Sequence, residues 1–481
     1  MLPTTTIRIS LGFVVLCAST QAATFSKDVL PILQKNCQSC HRPSQVAPMS
    51  LLTYSDTRPW AKAIKEYVSL RKMPPWSANP QYGHFINDRS LKQTEIDTLV
   101  AWANSGAIEG DPKDALPPVQ WPSEGWLIQP DVTVDLPPHD VPAKGVIEWE
   151  RLAIPAPFKE DTWITSIEVL PGERSVVHHL CGVFQKHQPT TVYNQYEWMI
   201  VPRDEDGVST DRRFGATGHS FEDGTIATRE VGSTEVKFHK GRPSLPATAS
   251  FCYVPGWESE DFRVWNAARM VPAGSDIVLN IHYNPIAKAT VDRSKLGFTI
   301  AKAPPAKKFV QLGAGADPTT RASTTGGASA ASAALRQPGS VDRIAIPPYE
   351  GNYLATPVDF IFQKDAELVW LWAHMHVRGK SAQFKLIYPD GHEEIALDIP
   401  RYDFNWQLAY RTSVQIPKGT RMHIEFRYDN SVNNKFNPDP SKWVYEGDQT
   451  WEEMIGPGIG ILLDRDADEK GITTPFRVSN E

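Results

Sequence analysis

The chain has 481 residues, too many for a single hydrophobic core and enough for roughly three domains. Hydrophobic residues make up 41% and charged residues 22%, which excludes a disordered chain and a bundle of membrane spans, while a formal net charge of -7 argues against nucleic acid or an anionic membrane as partner. Forty prolines and fifteen tryptophans, with few long amphipathic runs, predict turn-rich β domains.

In chain order, Arg8 precedes an apolar run from Leu11 to Cys17, and the small residues Ala22 and Ala23 follow. This pattern predicts a secretory signal over 1–23 and a periplasmic or secreted protein. About ten apolar residues are too few for a stable membrane span. Leu16 before Cys17 is not the small residue that lipoprotein processing needs, so no lipid anchor is expected.

Next comes Cys-Gln-Ser-Cys-His, with Cys37, Cys40 and His41 at the spacing of covalent haem attachment. The two thiols add to the haem vinyl groups and the adjacent imidazole ligates iron. No second CxxC exists to complete a four-cysteine zinc site. The other cysteines beyond the signal, Cys181 and Cys252, either pair as a disulfide in an oxidising compartment or remain buried thiols.

Val29, Leu30, Ile32 and Leu33 form an apolar helical face leading into the haem motif. Farther on, Ser90 and Gln93 read as a capping box for a helix carrying Leu91, Ile96, Leu99, Val100 and Ala103, stopped by Gly106. Residues 24–112 therefore resemble a small all-α cytochrome c domain with one haem c. Met73, within Arg-Lys-Met-Pro-Pro-Trp, is the expected sixth iron ligand, because Pro74 and Pro75 keep its loop from becoming helix. Met49 and His84 are the alternatives. Residues 113–127, with Pro117, Pro118 and Pro122, read as a linker.

From about residue 128, short strand-like runs alternate with turns: VIEWERLAI, DTWITSIEVL, DIVLNIHY, ELVWLWAHMHV, AQFKLIYPDG and RMHIEFRY. Strands at this spacing predict β-sandwiches. A stretch rich in Ala, Gly, Ser and Thr over 314–340 reads as loop or linker, just past a boundary placed near residue 304.

The histidines carry the chemistry. His374 and His376 stand two apart in a strand and so project from one face, together with Trp370 and Trp372. His178 and His179 are adjacent, and in a regular strand they would point to opposite faces. Both reach one metal only at a strand end or bulge. His282 shares a face with Asn280 and Val278 and suits a third ligand.

The motifs VVHHLCGVF, NIHY, HMHVRGK and WEEM, the last containing Met454, occur in the order and approximate spacing of the copper type II, ascorbate-dependent monooxygenases. This chain resembles that family, which includes peptidylglycine α-hydroxylating monooxygenase and dopamine β-monooxygenase, over some 280 residues. The resemblance implies two jelly-roll-like β-sandwiches, over 128–303 and 304–481, facing each other across a solvent-filled cleft. It assigns an electron-transferring copper to His178, His179 and His282, and an oxygen-binding copper to His374, His376 and Met454. Imidazoles accept both copper oxidation states and a thioether favours Cu(I). Met422 is the competing thioether.

The implied reaction consumes a small organic substrate, O2, two electrons and two protons, and yields an alcohol and water. Electrons would come from an external donor, either ascorbate or a redox protein, with the haem as their inlet. Peptide-hydroxylating members carry an arginine where Trp372 stands, and an asparagine and a tyrosine where Ile455 and Gly456 stand, so no α-carboxylate clamp is expected. The rival expectation is a haem and copper electron-transfer or copper-binding protein without hydroxylase activity; a zinc hydrolase using the paired histidines is a third.

Overall fold

The computed structural model describes residues 22–122, 125–145, 147, 149–189, 191–199, 226–230, 236–239, 251–254, 256–257, 259–312, 344–445 and 450–476. The expected signal up to residue 21 and the expected linker at 314–340 lie outside these residues. Contacts divide the chain into two compact units. One holds the described residues up to Arg42 together with Met49–Pro74 and Leu91–Val119, and the other holds Pro43–Pro48, Pro75–Ser90 and Gln120–Glu481.

The first unit carries the α-helices Leu30–Asn36, Tyr54–Thr57, Ala61–Ser69 and Gln93–Asn104. Val29, Leu30, Ile32 and Leu33 are buried as the apolar spacing predicts, against Ile96, Leu99 and Trp102. The last helix starts later than expected. Ser90 donates its N–H to Asp88, and the cap is formed instead by Glu95, whose carboxylate accepts the Lys92 N–H at 2.8 Å. Gly106, at φ +94°, ends the helical run because the left-handed region suits a residue without Cβ.

The second unit is built of β-sheet, and across the described chain sheet predominates over a few short helices. Each of the six expected strand runs forms one: Glu150–Pro155, Thr162–Leu170, Ser275–Tyr283, Ala366–His374, Gly379–Ile387 and Arg421–Tyr428. Branched and aromatic side chains alternate between faces and bury one or both of them.

One core, with Leu152, Ile167, Leu180, Ile277 and Leu279, lies where the sheet containing Ser275–Tyr283 meets the strands around Thr162–Leu170. A second core, with Leu371, Phe384, Ile424 and Ile459, lies between the sheet containing Gly379–Ile387 and the strands around Ala366–His374. This pairing of sheets is compatible with β-sandwich domains. The strands are not segregated at residue 304. Ala267–Val271 pairs in parallel with Lys307–Leu312, so a single nine-stranded sheet contributes one layer to both cores.

Two segments that the sequence places in the helical module and its linker pack in the β unit. Trp76 and Phe85 both lie against Tyr410, with ring centroids 5.0 and 5.3 Å away. Trp126 is buried over Gly297, where a Cβ would lie 2.7 Å from its ring.

Cys181 and Cys252 are disulfide-bonded. They face each other directly across the paired strands Val177–Lys186 and Phe251–Tyr253.

Candidate metal centre

The strand Val177–Lys186 pairs with Ser275–Tyr283 so that His179 stands opposite His282. Directly opposed residues point to the same face, which puts both imidazoles together. The register then slips, with Tyr283 opposite Val177, and His178 is the extra residue of a bulge. The bulge turns His178 toward the other two, as adjacent histidines require. One ligand atom from each of His178, His179 and His282 lies within 4.8 Å of the others.

The Nδ1 atoms of His178 and His179 are 3.4 Å apart. His179 Nε2 and His282 Nδ1 are buried without a hydrogen-bond partner. Orphaned buried imidazole nitrogens are costly and call for an occupant. Burial holds His178 below its ordinary pKa, pushes His179 well below it, and takes His282 to about 4, with His178 adding to the last. The rings are therefore neutral near neutral pH and offer lone pairs to a cation. Three convergent neutral imidazoles fit a copper or zinc ion.

The second group is built at the end of Ala366–His374. Trp372 stacks on His374 at 5.1 Å and 20°, and the His374 and His376 rings are 5.1 Å apart. The strand ends at His374, so His376 is held by other means. Glu453, fully buried, accepts the backbone N–H groups of His376 at 2.8 Å and Arg378 at 2.6 Å. Burial pushes the Glu453 carboxyl up to about 8, against these donors and the Arg378 guanidinium.

Both rings are oriented through Nδ1. His374 Nδ1 bonds the Gln407 side-chain oxygen at 2.6 Å, and His376 Nδ1 bonds the Glu452 carbonyl at 3.1 Å. A ring that donates from Nδ1 carries its lone pair on Nε2, the arrangement of a metal-ligating histidine with an oriented tautomer.

Met454 precedes the strand Gly456–Asp464, and Gly456 is the cross-strand partner of His374. Met454, the thioether expected as a ligand, thus lies two residues before the partner of His374. Its carbonyl accepts the Tyr428 hydroxyl at 2.9 Å. Met422 is fully buried in the second core, which leaves it a packing role.

One short segment touches both histidine groups. Phe404 stacks on His178 at 5.5 Å and 26°, and Gln407 bonds His374. His374 and His376 are also close enough to His179 to contribute to its depressed pKa.

In the helical unit, Cys37 follows the helix Leu30–Asn36 directly, and the Cys40 and His41 N–H groups both bond the Cys37 carbonyl. This turn draws together the backbone of the three residues expected to attach haem. His41 Nδ1 meets the Met49 carbonyl at 3.3 Å, which leaves the lone pair on Nε2, the atom expected to ligate iron. Burial, with Cys40 and Glu95 nearby, pushes the Cys37 thiol up to about 12. Cys37 and Met49 pack on the helical core, and Met73 is half-buried in the same unit. His84 belongs to the β unit, where its carbonyl accepts the Thr412 hydroxyl.

Sequence reasoning missed Gln407 and Phe404, which carry no motif of their own, and gave no role to Glu453, which lies within WEEM. It also missed Gly456, Gly458 and Gly460, which stand opposite His374, Trp372 and Trp370 in register. The alternation Gly-x-Gly-x-Gly was a readable signal of a strand face cleared for large neighbours.

No family model matches the chain, and no curated protein matches it. Among solved structures it is matched to the VP2 subviral particle of infectious bursal disease virus at 7% identity and a TM-score of 0.17, covering 73% of this chain and 78% of that one. Recombinant pro-11S globulin of pumpkin is matched at 10% identity and a TM-score of 0.14, covering 71% and 80% respectively. Overlaps of this size carry no argument about fold or function. No helix among the described residues is long and apolar enough to cross a membrane.

Proposed function

We propose that this chain is an exported haem- and copper-dependent monooxygenase that hydroxylates a C–H bond of a small organic substrate, and that it resembles the copper type II family. The observation that carries the reading is the convergence of His178, His179 and His282 with orphaned buried nitrogens, beside a second pair, His374 and His376, whose Nδ1 atoms are both engaged. Each set supports one copper. Met454 supplies the thioether of the second.

Copper, when bound, supplies reversible one-electron chemistry at both sites and a place for O2 at the second. The protein's part is to orient and to shelter. Gln407 and the Glu452 carbonyl hold the two imidazoles with Nε2 toward the metal, Glu453 clamps the backbone that carries His376, and Trp372 covers one face of His374. Phe404 and Gln407 together couple the positions of the two groups. The cytochrome c reading of the helical unit makes the haem on Cys37, Cys40 and His41 the electron inlet, with Met73 as sixth ligand. The jelly-roll reading of the β unit belongs to the same proposal.

Trp372 in place of the arginine of peptide-hydroxylating members favours an apolar or aromatic substrate. The dense ring packing around the histidines favours the second reading, an electron-transfer protein without hydroxylase activity. Metal analysis with a haem spectrum tests the cofactors: two coppers and one haem per chain are expected. O2 uptake across a panel of organic substrates separates the two activities, since an electron carrier consumes no O2 in step with alcohol formation.

A further inference from the structure

The tryptophans beside His374 form a connected path. Trp372 stacks on His374, Trp257 packs against Trp372 at 5.1 Å, and Trp257 also packs against Trp370 at 4.9 Å. Trp257 and Trp370 are almost wholly buried. Room for the path is built into the sheet, since a Cβ on Gly458 would lie 2.6 Å from the Trp370 ring and 3.1 Å from Trp372 Cβ.

The path ends on a buried carboxyl. Glu260 is 2% exposed on the strand Ser259–Asp261. Its two oxygens and the indole N–H groups of Trp257 and Trp370 are all buried without a hydrogen-bond partner, and both indoles lie near enough to the carboxylate to favour its charged form. Burial raises this carboxyl to about 7 against the pull of Arg411 and Arg269 and of the two indoles. The Trp372 N–H is engaged differently, by the Gln407 backbone carbonyl at 3.3 Å. A backbone carbonyl cannot take a proton, whereas Glu260 can.

We propose that Trp372, Trp257 and Trp370 form a redox relay that draws an oxidising equivalent away from the His374 and His376 centre and holds it as a neutral indolyl radical, with Glu260 accepting the indole proton. This rests on the copper reading of that centre. A peroxide-class oxidant arriving at the copper-loaded centre would take one electron from Trp372 and be reduced by one. Trp257 refills Trp372. The N–H bond of Trp257 or Trp370 then breaks, its proton passing to Glu260 and its bonding electrons staying on the ring. A one-electron donor of the ascorbate class later returns the electron, and Glu260 returns the proton. The relay spares the histidine ligands when the centre is oxidised without substrate in place.

The test has two arms on the full-length protein. In the first, metal-free protein is photo-oxidised with a ruthenium tris-bipyridine sensitiser, and the radical is read by EPR and ENDOR in light and heavy water. Wild type should give a long-lived indolyl radical without an exchangeable proton. Glu260→Gln should convert it to the protonated form, and Trp257→Phe should lose most of it. A wild-type radical that keeps its proton overturns the proposal even if neither variant folds.

In the second arm, copper-loaded protein is treated with hydrogen peroxide and ascorbate without organic substrate, and oxidised residues are mapped by mass spectrometry. Oxygen adducts should fall on Trp257 and Trp370 in wild type and move to Trp372 and His374 in Trp257→Phe. Adducts on His374 in wild type, unchanged by Trp257→Phe, overturn the relay. If His374 and His376 retain no copper, the copper reading fails, and the first arm still decides whether the tryptophans and Glu260 act together.

Discussion

His374 and Gly456 are direct cross-strand partners, and a Cβ on Gly456 would lie 2.7 Å from His374 Cβ. The imidazole proposed to ligate copper therefore occupies space that only glycine leaves open. Gly456→Ala should push His374 aside and cost about 1–3 kcal/mol, the usual penalty of overpacking. Copper analysis should show one metal lost per chain while the haem spectrum stays unchanged. Full copper retention would show that His374 does not depend on this opening.

Gln407 orients His374 from 33 residues away in sequence. Gln407→Leu removes the acceptor that fixes the Nδ1 proton and leaves a near-isosteric side chain. Copper affinity at the His374 site should fall about 10–100-fold, as for other partners that orient a metal-bound histidine. A competition titration with a copper chelator measures it, and the affinity of the His178, His179 and His282 site should change less. Gln407→Glu, which keeps an acceptor, should restore most of the loss.

The strands and the ligand candidates were legible because both are local. Period-two alternation marks a strand, and adjacent histidines can converge only at an irregularity, which the register slip opposite His282 supplies. The roles of Gln407, Glu453 and Phe404 were illegible because each acts across a long separation, as when Glu453 bonds the N–H of His376 77 residues earlier. The shared sheet was hidden for the same reason. Parallel pairing of Ala267 with Lys307 leaves no turn signal between the partners. Nor does composition reveal that the segment 75–90, within the expected cytochrome module, packs through Trp76 and Phe85 on Tyr410.

The disulfide ties the first histidine group to its sheet. Cys181 sits two residues after His179, opposite Asn280 on one side and Cys252 on the other. The bond closes a loop of 71 residues, for which loss of the cross-link costs about 2–4 kcal/mol. The double substitution Cys181→Ser with Cys252→Ser should lower the melting temperature. It should also weaken copper at His178, His179 and His282 more than at His374 and His376. Equal weakening of both would point to general destabilisation.

His423 has a structural role that pH can expose. It meets Asp359 at 3.0 Å and Glu425 at 3.3 Å. The Asp359 hydrogen bond raises the His423 pKa above 6.5. Burial alone would raise Asp359, yet hydrogen bonds from His423 and Arg421 hold it below 3.8. The histidine's contribution to stability is fully present below its unfolded value of 6.5 and is lost as pH rises through the higher folded value. The aspartate's is present above its unfolded value of 3.8 and is lost as pH falls through the lower folded value. Both partners are therefore charged between these limits. Because the pair is partly exposed, its worth is about 0.5–1 kcal/mol. Thermal melts of wild type and His423→Gln between about pH 5 and about pH 9 should differ most at the acidic end and converge at the alkaline end. A difference that grows with pH would mean that His423 is neutral in the folded protein and that Arg421 alone neutralises Asp359.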